Sequence, residues 1–571
     1  MKSFLLSLCL LVGVLVVAIP QSARTPPASY GIAVADLNGD GNLDAVVTNP
    51  CTTQQDCTNG SVSVLLGNGD GTFQAGVIYS SGGYGAFRVA IADLNGDGHP
   101  DIVVANGCVN ISNCSSGSVG VLIGNGDGTF KPAVSYPSGG MYAYSVAIGS
   151  LRGTSKLDLI VANVCQSGSS GCTIGAQNLN LAASSFCRNG SSINCANVNG
   201  SIGVLLGNGD GTFASAVSYG SGGVAPFSVA TGKFSGNLSV VATNSCASTS
   251  VCTHGSVTVL LGNGDGTLQS AVAYSTGGLD PEFVVVGDFN GDSKPDLAVV
   301  NDCATSFASA CPNSFIYSAN DSSFSILLGH GDGTFASAVN YNLSSVGWPV
   351  SSAAVADVNA DGKPDLIIGQ RMIGGDVGVI LGNGDGTFQS PVFYAGTDYG
   401  NTSPVAVGDV NGDGKPDIAY TNLYNYGLPS TGGHWPEDSA YTLLGNGNGT
   451  FSATSIIFSP NPLIFGTVPS GTQNETLTVT NLSSGKTAVT FSGTPTITGT
   501  GAAQFSVLPY ISGSQSTCLQ SSPKLQLNPG ATCTFTVQFS STGLGTTYNV
   551  TLNISDSGVG GSQPVSMTAK D

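Results

Sequence analysis

The sequence predicts an all-β protein, in which a long array of repeats is followed by a second, smaller β domain. Two short motifs alternate along the chain, seven copies of each. The segments between them are rich in Val, Ile and Ala and are bounded by Gly, Asn, Asp and Pro, which favours short strands. No segment of useful length has the apolar periodicity of a helix.

Composition limits the classes of function. The 571 residues include 34 acidic and 15 basic residues, so the formal net charge is −19. Because a nucleic-acid-binding protein presents a basic face, we expect no nucleic-acid partner. The four His residues are few for zinc binding or for acid–base catalysis.

The N-terminal residues 1–23 are predicted to be a secretory signal peptide. Lys2 precedes an apolar run over residues 4–19, and Ser22 and Ala23 are the small residues expected near a cleavage point. An uncleaved membrane anchor is the alternative, although the run is short for a span. No later stretch is apolar enough to span a bilayer. We therefore expect a mature chain without a membrane span, secreted to the exterior or the cell surface.

The cysteines agree with export, because without Cys9 they number fourteen and fall into close pairs. Zinc is the alternative, but the spacings within pairs are wider than in usual zinc motifs and neighbouring His residues are almost absent. Local disulfides are therefore predicted. The pairs are Cys51/Cys57, Cys108/Cys114, Cys165/Cys172, Cys187/Cys195, Cys246/Cys252, Cys303/Cys311 and Cys518/Cys533.

The first repeated motif is GNGDGTF. Its copies are Gly67–Phe73, Gly124–Phe130, Gly207–Phe213, Gly262–Leu268, Gly329–Phe335, Gly382–Phe388 and Gly445–Phe451. It alternates with an Asp-rich nonapeptide, and the two together define seven units of about 60 residues with four short strands each. This pattern predicts a seven-bladed β-propeller over residues 28–458. A tight hairpin turn is the favoured interpretation of GNGDG, and extra metal ligands are the alternative.

The nonapeptide is intact in five units, where oxygen donors occupy positions 1, 3, 5 and 9 and position 7 offers its carbonyl. Such a set is typical of a Ca²⁺ loop, and about five bound Ca²⁺ ions are predicted. A metal-free Asn/Asp/Gly turn is the alternative, and an EF-hand is excluded because Asp closes the loop at position 9 between two strands. The predicted ligands are Asp36, Asn38, Asp40, Asn42, Asp44, Asp93, Asn95, Asp97, His99, Asp101, Asp288, Asn290, Asp292, Lys294, Asp296, Asp357, Asn359, Asp361, Lys363, Asp365, Asp409, Asn411, Asp413, Lys415 and Asp417, with Asn42, His99, Lys294, Lys363 and Lys415 acting through the backbone carbonyl.

Glycine at positions 4 and 6 of the loop permits the positive φ that a tight curl requires. Ser293 and Ala360 depart from this pattern. Two further copies are degenerate: Ser150–Asp158 replaces acids with Ser150, Arg152 and Thr154, and the copy around Lys233–Ser239 is shortened. Neither of these two units is expected to bind Ca²⁺.

The Asp loop followed by LLGNGDGTF resembles the FG-GAP/VCBS repeats of integrin α chains and of many secreted bacterial proteins. The resemblance covers about residues 28–458. It implies a seven-bladed propeller whose Asp loops join the first two strands of a blade and hold Ca²⁺. For function it implies adhesion or ligand binding, and in some members a carbohydrate-active enzyme.

The face opposite the Asp loops is predicted to be the binding face, because the length variation between units lies there. Aromatic residues in its loops are expected to be exposed and suit sugar stacking or protein contacts; the alternative is that they plug the mouth of the channel or pack under loops. These residues are Tyr84, Tyr142, Tyr317, Trp348, Tyr399 and Trp435. Trp348, His434 and Trp435 are the candidate ligand-binding residues.

The composition changes near Ser459, where Thr- and Ser-rich alternating strands replace the NGDG motifs. Residues 459–571 are predicted to form an immunoglobulin-like β-sandwich. The segment resembles the choice-of-anchor D or HYDIN-like domains of secreted bacterial proteins, which serve as spacers or surface contacts.

The favoured function is a secreted Ca²⁺-binding adhesion or ligand-binding module whose partner is a glycan or an extracellular protein. The alternatives are a polysaccharide lyase or hydrolase on the same scaffold and a purely architectural surface protein. No residue is assigned as catalytic. His434, with Trp435, Glu437 and Asp438 beside it, is the cluster that would be assayed for catalysis.

Overall fold

The computed structural model describes the repeat array with gaps and the C-terminal part in shorter pieces. The described residues are 29–50, 59–110, 114–169, 172, 199–247, 254–303, 322–343, 350–370, 376–395, 401–423 and 440–453, and then 456–459, 463–468, 471–481, 489–490, 495–498, 502–509, 518, 526–527, 532–541, 547–554 and 563–570. The predicted signal peptide and the candidate ligand-binding residues Trp348, His434 and Trp435 lie outside them.

In the described part of the array, each repeat unit forms one four-stranded sheet, numbered here in chain order. Sheet 1 contains β1 Ile32–Ala35, β2 Asp44–Asn49, β3 Ser61–Leu65 and β4 Val77–Ser80. Sheet 2 contains β5 Tyr84–Ala92, β6 Asp101–Cys108, β7 Ser118–Leu122 and β8 Val134–Pro137. Sheet 3 contains β9 Gly140–Gly149, β10 Asp158–Gln166, β11 Ser201–Leu205 and β12 Val217–Gly220. Sheet 4 contains β13 Val229–Gly232, β14 Ser239–Asn244, β15 Ser256–Leu260 and β16 Val272–Ser275.

The remaining units repeat this arrangement. Sheet 5 contains β17 Leu279–Gly287, β18 Asp296–Cys303, β19 Ser323–Leu327 and β20 Val339–Asn342. Sheet 6 contains β21 Val350–Ala356, β22 Asp365–Gln370, β23 Asp376–Ile380 and β24 Val392–Ala395. Sheet 7 contains β25 Asn401–Gly408, β26 Asp417–Leu423, β27 Ala440–Gly445 and β28 Phe451–Ala453.

Within each sheet the four strands pair antiparallel in the order in which they follow in the chain. The Asp loop joins the first and second strands, and the GNGDG turn joins the third and fourth. Both therefore emerge at the same end of every sheet. The all-β prediction and the prediction of four strands per unit are confirmed.

Apolar side chains pack between successive sheets and form seven separate cores in the described residues. Six of the cores join sheets that are neighbours in sequence. The seventh joins sheet 7 to sheet 1, where Ala419 packs with Ala45 and Val47. Each sheet thus buries both of its faces, which explains why the second strands are apolar along their whole length rather than alternating.

The first strands of all seven sheets converge on one small cavity of about 100 Å³. Its lining takes Ile32, Ser145, Val229, Phe283 and Val405 from five of these strands. Arg88, from sheet 2, lines it as well and is buried, and its Nη1 donates to the carbonyl oxygen of Tyr30 at 2.7 Å. The Arg88 guanidinium also lies over the Phe283 ring, 4.9 Å from its centroid.

The aromatic residues near the start of the first strands are buried, and the prediction of exposure is wrong for Tyr84 and Tyr142. Their exposed fractions are 6% and 0%. Tyr142 belongs to a core that includes Phe87 and Tyr144, whose rings stack with centroids 4.8 Å apart. The alternative interpretation, packing beneath the loops, holds for these two residues. Tyr317 and Tyr399 lie outside the described residues, as do Trp348 and Trp435.

The C-terminal part contains two further four-stranded sheets and a two-stranded pair in the residues described. One sheet has the order β29 Ile456–Ser459, β31 Gly471–Asn481, β36 Thr532–Ser541 and β34 Phe505–Val507. The other has the order β30 Leu463–Thr467, β38 Gln563–Lys570, β37 Thr547–Ile554 and β33 Thr496–Thr498. The pair is β32 Val489–Thr490 with β35 Gln526–Leu527, and a short 3₁₀ helix spans Ala502–Gln504.

These two sheets share one apolar core. Phe535 and Leu477 from the first sheet and Leu552 and Met567 from the second belong to it, and all four are buried. The β30–β38 pairing is parallel, whereas the other pairings are antiparallel. The sheets of the repeat array thus end with β28 at Ala453, and the differently ordered sheets begin with β29 at Ile456.

Three of the predicted disulfides lie within the described residues and are formed. They are Cys108–Cys114, Cys165–Cys172 and Cys518–Cys533. Cys246 is also disulfide-bonded. The side chains of Cys51, Cys57, Cys187, Cys195, Cys252, Cys303 and Cys311 lie outside the described part, so the remaining pairs stay predictions.

Candidate metal centre

Each intact Asp loop is organised by its own carboxylates, as sheet 2 illustrates. Asp93 Oδ1 accepts the amides of Gly96 and Asp97 at 2.7 and 3.2 Å, and Asp93 Oδ2 accepts the amide of Gly98 at 2.9 Å. Asp97 Oδ1 accepts the amide of His99 at 2.9 Å. The oxygen donors predicted at positions 1, 3 and 5 therefore lie on one tightly curled loop between β5 and β6.

The aspartate at position 9 is the first residue of the second strand and is fully buried. Asp101 Oδ2 accepts the amide of Leu94 at 2.8 Å, and Asp101 Oδ1 accepts the amide of Gly124 at 2.8 Å. Gly124 begins the GNGDG turn, so this carboxylate joins the loop to the turn of the same sheet. The same pair of hydrogen bonds recurs at Asp44, Asp296, Asp365 and Asp417.

Burial raises the pKa of each of these five carboxyl groups above its usual range. The other carboxylates of the loop add to the effect, as Asp97 and Asp93 do for the pKa of Asp101. Each intact loop thus carries three acids within nine residues, and one of them is buried. A cation bound among them would relieve this repulsion.

The backbone at positions 4 and 6 has positive φ in all five intact loops, as predicted. Gly96 and Gly98 have φ of 77° and 85°. Ser293 and Ala360, the two departures from glycine, adopt the same conformation with φ of 63° and 59°. The left-handed region costs a residue with a Cβ about 1–2 kcal/mol, so these two loops are strained.

Replacing Ser293 or Ala360 with glycine is expected to stabilise the protein by up to about 1 kcal/mol. The relief of strain exceeds the extra backbone entropy of glycine, which is about 0.5–1 kcal/mol. The measurement is the melting temperature of S293G and A360G at saturating Ca²⁺. G96A is the matched control, because a Cβ there meets no atom within 4 Å and tests φ alone. Destabilisation by S293G and A360G would contradict the strain.

In sheet 3 an arginine side chain contacts the buried acid of position 9. Asp158 keeps both backbone hydrogen bonds of position 9, from the amides of Leu151 and Gly207 at 2.9 Å each. Arg152 Nη2 donates to Asp158 Oδ1 at 2.5 Å and to the carbonyl oxygen of Gly207 at 2.6 Å. The sequence showed that an arginine replaces an oxygen donor, but it did not show that the guanidinium reaches the buried acid.

In sheet 4 the buried acid itself is absent. Ser239 stands at the start of the second strand, and its hydroxyl oxygen accepts the amide of Gly262 at 3.1 Å. The loop-to-turn hydrogen bond is thereby kept by a neutral side chain. The shortened loop carries Lys233, Phe234 and Asn237 in place of the acids.

A lysine at position 7 contacts the position-5 acid in sheets 5, 6 and 7. The Nζ to Oδ2 distances are 3.2 Å for Lys294–Asp292, 3.6 Å for Lys363–Asp361 and 3.1 Å for Lys415–Asp413. These pairs are solvent-exposed, and such pairs contribute about 0–1 kcal/mol. The contact is made by the lysine ammonium group, whereas the role predicted at position 7 belongs to the backbone carbonyl.

The aspartates of the GNGDG turns have a local role. Asp127 Oδ1 accepts both the amide and the hydroxyl of Thr129, at 3.0 and 2.5 Å, and the hydroxyl hydrogen bond lowers the pKa of Asp127. In sheet 7 the neutral Asn448 makes the same two hydrogen bonds to Thr450. Since an amide serves as well as a carboxylate, these contacts favour the hairpin-turn interpretation.

The chemistry of the donors fits a hard cation. Three carboxylates, one amide oxygen and one carbonyl per loop supply oxygen ligands alone, and each carboxylate keeps lone pairs beyond its backbone hydrogen bonds. No group of three His, Cys, Asp or Glu side chains within the described residues is clustered closely enough to hold a metal by itself. The Asn amide and the position-7 carbonyl would therefore be needed to complete the set.

A family model described as an FG-GAP-like repeat matches residues 36–104, 246–299, 316–368 and 357–420. The chain contains FG-GAP-like repeats. The matched segments include all five intact Asp loops. The degenerate loop of sheet 3 and the shortened loop of sheet 4 lie outside them.

The solved structures similar to this chain are distant. Bap1, a biofilm matrix protein of V. cholerae, is 13% identical, with 69% of this chain and 85% of that chain covered and a TM-score of 0.33. The periplasmic gluconolactonase PpgL of Pseudomonas aeruginosa is 13% identical, with coverage of 66% and 88% and a TM-score of 0.41. An ancestral GH74 enzyme is 11% identical, with coverage of 96% and 63% and a TM-score of 0.43.

No curated protein sequence matches the chain significantly. Within the described residues, no helix has the length and apolar character needed to cross a membrane.

Proposed function

We propose that the protein is a secreted, Ca²⁺-stabilised seven-bladed β-propeller that acts as an adhesion or ligand-binding module outside the cell. In this proposal residues 1–23 are a signal peptide, residues 28–458 are the propeller and residues 459–571 are an immunoglobulin-like sandwich. The ligand is a glycan or an extracellular protein.

The proposal of Ca²⁺ binding rests on a comparison of the Asp loops of the different sheets of this chain. In sheet 3 the acid at position 9 is kept, but the acids at positions 1 and 5 are replaced by Ser150 and Thr154. There the guanidinium of Arg152 contacts the buried acid, Asp158. In sheet 4, whose shortened loop carries no acid, Ser239 replaces the buried acid. The five intact loops keep the buried acid and add two more, and we propose that a cation from solution binds among these three carboxylates. Ca²⁺ suits their oxygen donors.

The propeller part is supported by the closing contact between sheet 7 and sheet 1 and by the convergence of the seven first strands on one cavity. The two sheets of the C-terminal part, packed on a shared core, support a sandwich. The disulfides support an oxidising compartment.

The binding role is assigned to the face that carries the Cys loops, opposite the Asp loops. The Asp loops and GNGDG turns are uniform from sheet to sheet, whereas the connections on the other face differ in length. Variable loops on a rigid scaffold are the usual place for recognition. The proposal assigns no catalytic residue, and the cluster around His434 lies outside the described residues.

A glycan and matrix-protein array tests the binding role. Wild-type protein with Ca²⁺ is expected to bind at least one glycan or matrix protein, and W435A is expected to bind it more weakly. V339A is the control, because Val339 lies half-exposed on the outer strand of sheet 5, away from the binding face. Absence of binding to every probe by the folded, Ca²⁺-loaded protein would contradict the proposed role.

A further inference from the structure

The seven interfaces between neighbouring sheets use equivalent residues of the repeat. The third residue of the second strand in one sheet and the second residue of that strand in the next sheet belong to the same core. These pairs are Val46/Ile102, Val103/Leu159, Ile160/Val240, Val241/Leu297, Ala298/Leu366, Ile367/Ile418 and Ala419/Ala45. The interface between sheet 7 and sheet 1 has alanine on both sides, and every other pair has at least one larger side chain.

The core at this closing interface is also the smallest of the seven. Among the described residues, five buried apolar side chains pack together there, Ile32, Ala45, Val47, Leu65 and Ala419, whereas the other cores contain nine to eleven. Leu444 of sheet 7 is also buried, and it lies beside this core, against Gly71 of sheet 1. Hydrophobic stabilisation scales with the apolar area that is buried. Of the seven cores, the core at the closing interface therefore contributes the least hydrophobic stabilisation.

A hydrogen bond between neighbouring sheets, donated by a tyrosine, also cannot form in the same way at the interface of sheets 7 and 1. In sheets 4, 5 and 6 a tyrosine of the outer strand donates its hydroxyl to the carbonyl of a turn glycine in the next sheet. These hydrogen bonds are Tyr274 to Gly333 at 3.2 Å, Tyr341 to Gly386 at 3.3 Å and Tyr394 to Gly449 at 3.5 Å. The tyrosine stands six residues after the last residue of the GNGDGTF motif in units 1 to 6. In unit 7 that position is Ile457, which has no hydroxyl to donate.

A third contact, made by the GNGDG turn, is present at the interface of sheets 7 and 1 as at the other interfaces. The last glycine of each GNGDG turn lies against a Leu or Ile of the preceding sheet, and a Cβ on Gly71 would meet Leu444 at 2.6 Å. The corresponding distance at the first interface, from Gly128 to Leu66, is 2.9 Å. Sheet 7 thus approaches sheet 1 at the GNGDG turn as the other sheets approach their neighbours, but the pair at the second strands is alanine on both sides.

The chain passes from this interface directly into the C-terminal part. The outer strand of sheet 7 ends at Ala453, and β29 of the C-terminal part begins at Ile456. A force on the C-terminal part is therefore delivered to sheet 7, beside the interface with the smallest core.

We infer that the interface between sheets 7 and 1 is a seam at which the ring opens while the other six interfaces stay closed. The inference rests on the ring of the proposed function, but it does not rest on Ca²⁺ binding. In a protein attached to a surface through its C-terminal part, such a seam lets the ring yield to tension without unfolding of the sheets.

Thiol labelling of variants that each carry one added cysteine tests the seam. A419C lies at the seam and A298C at the interface of sheets 5 and 6. Both replace a fully buried alanine at the third position of the second strand. With Ca²⁺ present, A419C is expected to react with a maleimide at least ten times faster than A298C. Rates within a factor of two would overturn the seam.

I418C separates opening of the seam from unfolding of the whole seventh sheet. Ile418 is buried on the other face of that sheet, in the core shared with sheet 6. Fast labelling of A419C with slow labelling of I418C supports the seam, and fast labelling of both overturns it. A45C replaces A419C if that variant does not fold. Because positions are compared at fixed Ca²⁺, the result stands whatever number of ions the protein binds.

Discussion

Removing Ca²⁺ with excess EDTA is expected to lower the melting temperature by about 10 °C or more. A ligand present at 100 times its dissociation constant stabilises the folded state by about 2.7 kcal/mol per site, and five such sites are proposed. Loss of 1 kcal/mol lowers the melting temperature by about 2–4 °C in domains of moderate size. The three carboxylates of each intact loop are then left to repel one another. Differential scanning calorimetry measures the change.

Hydrogen exchange gives this prediction its internal control. Chelation is expected to increase exchange around the Asp loops of sheets 1, 2, 5, 6 and 7. The loops of sheets 3 and 4, which carry Arg152 and Ser239 instead, are expected to stay unchanged. Added Ca²⁺ restores the original profile. An unchanged melting temperature after complete chelation would mean that the loops are metal-free turns.

Replacing Arg152 with methionine is the substitution with the largest expected effect. It leaves the fully buried Asp158 without its cation, and breaking such a pair costs about 3–5 kcal/mol. Because Arg152 is partly exposed, we expect the lower end of this range. The melting temperature of R152M should lie below that of the wild-type protein by the same amount with and without Ca²⁺. K156M is the matched control, since Lys156 is an exposed cation of the same loop.

The double variant R152M/D158S separates the charge effect from a packing defect. It copies sheet 4, where Ser239 accepts the turn amide without a charge. Most of the stability lost in R152M should return, because no unpaired carboxylate remains buried. A double variant that is no more stable than R152M would show that the loss comes from packing of the arginine stem.

The repeat architecture could be predicted from sequence because each unit carries its own boundaries. The Asp loop and the GNGDG turn mark the two strand connections at one end, and the apolar runs between them are the strands that form. The first strands are less well predicted. The run Arg88–Ala92 predicts a strand, but β5 begins at Tyr84 because the preceding segment pairs with β6 across a register shift.

Burial of the aromatic residues could not be predicted, because the packing partners come from other sheets. Gly139, Gly140 and Met141 precede Tyr142, which has a φ of 63°, so its neighbourhood has the composition of an exposed turn. Its environment is set by Phe87 of sheet 2 and by other members of the same core. No local pattern shows contacts between units.

For the candidate metal site, the sequence predicts the oxygen donors but not their surroundings. The sequence shows an acid at position 9, and the spacing indicates that it is a metal ligand. The structure adds that this acid is buried and links the loop to the turn, as Asp101 does through Leu94 and Gly124. The contact between Arg152 and Asp158 joins residues six apart, so the spacing of the degenerate loop was the signal that could have revealed it.

Metal analysis of the purified protein tests the central claim most directly. After dialysis against buffer containing Ca²⁺ in slight excess over the sites, the account predicts about five tightly held Ca²⁺ ions per chain, one for each intact loop. Replacement of Asp365 with serine should reduce the count by one. A count of zero or one would contradict the account.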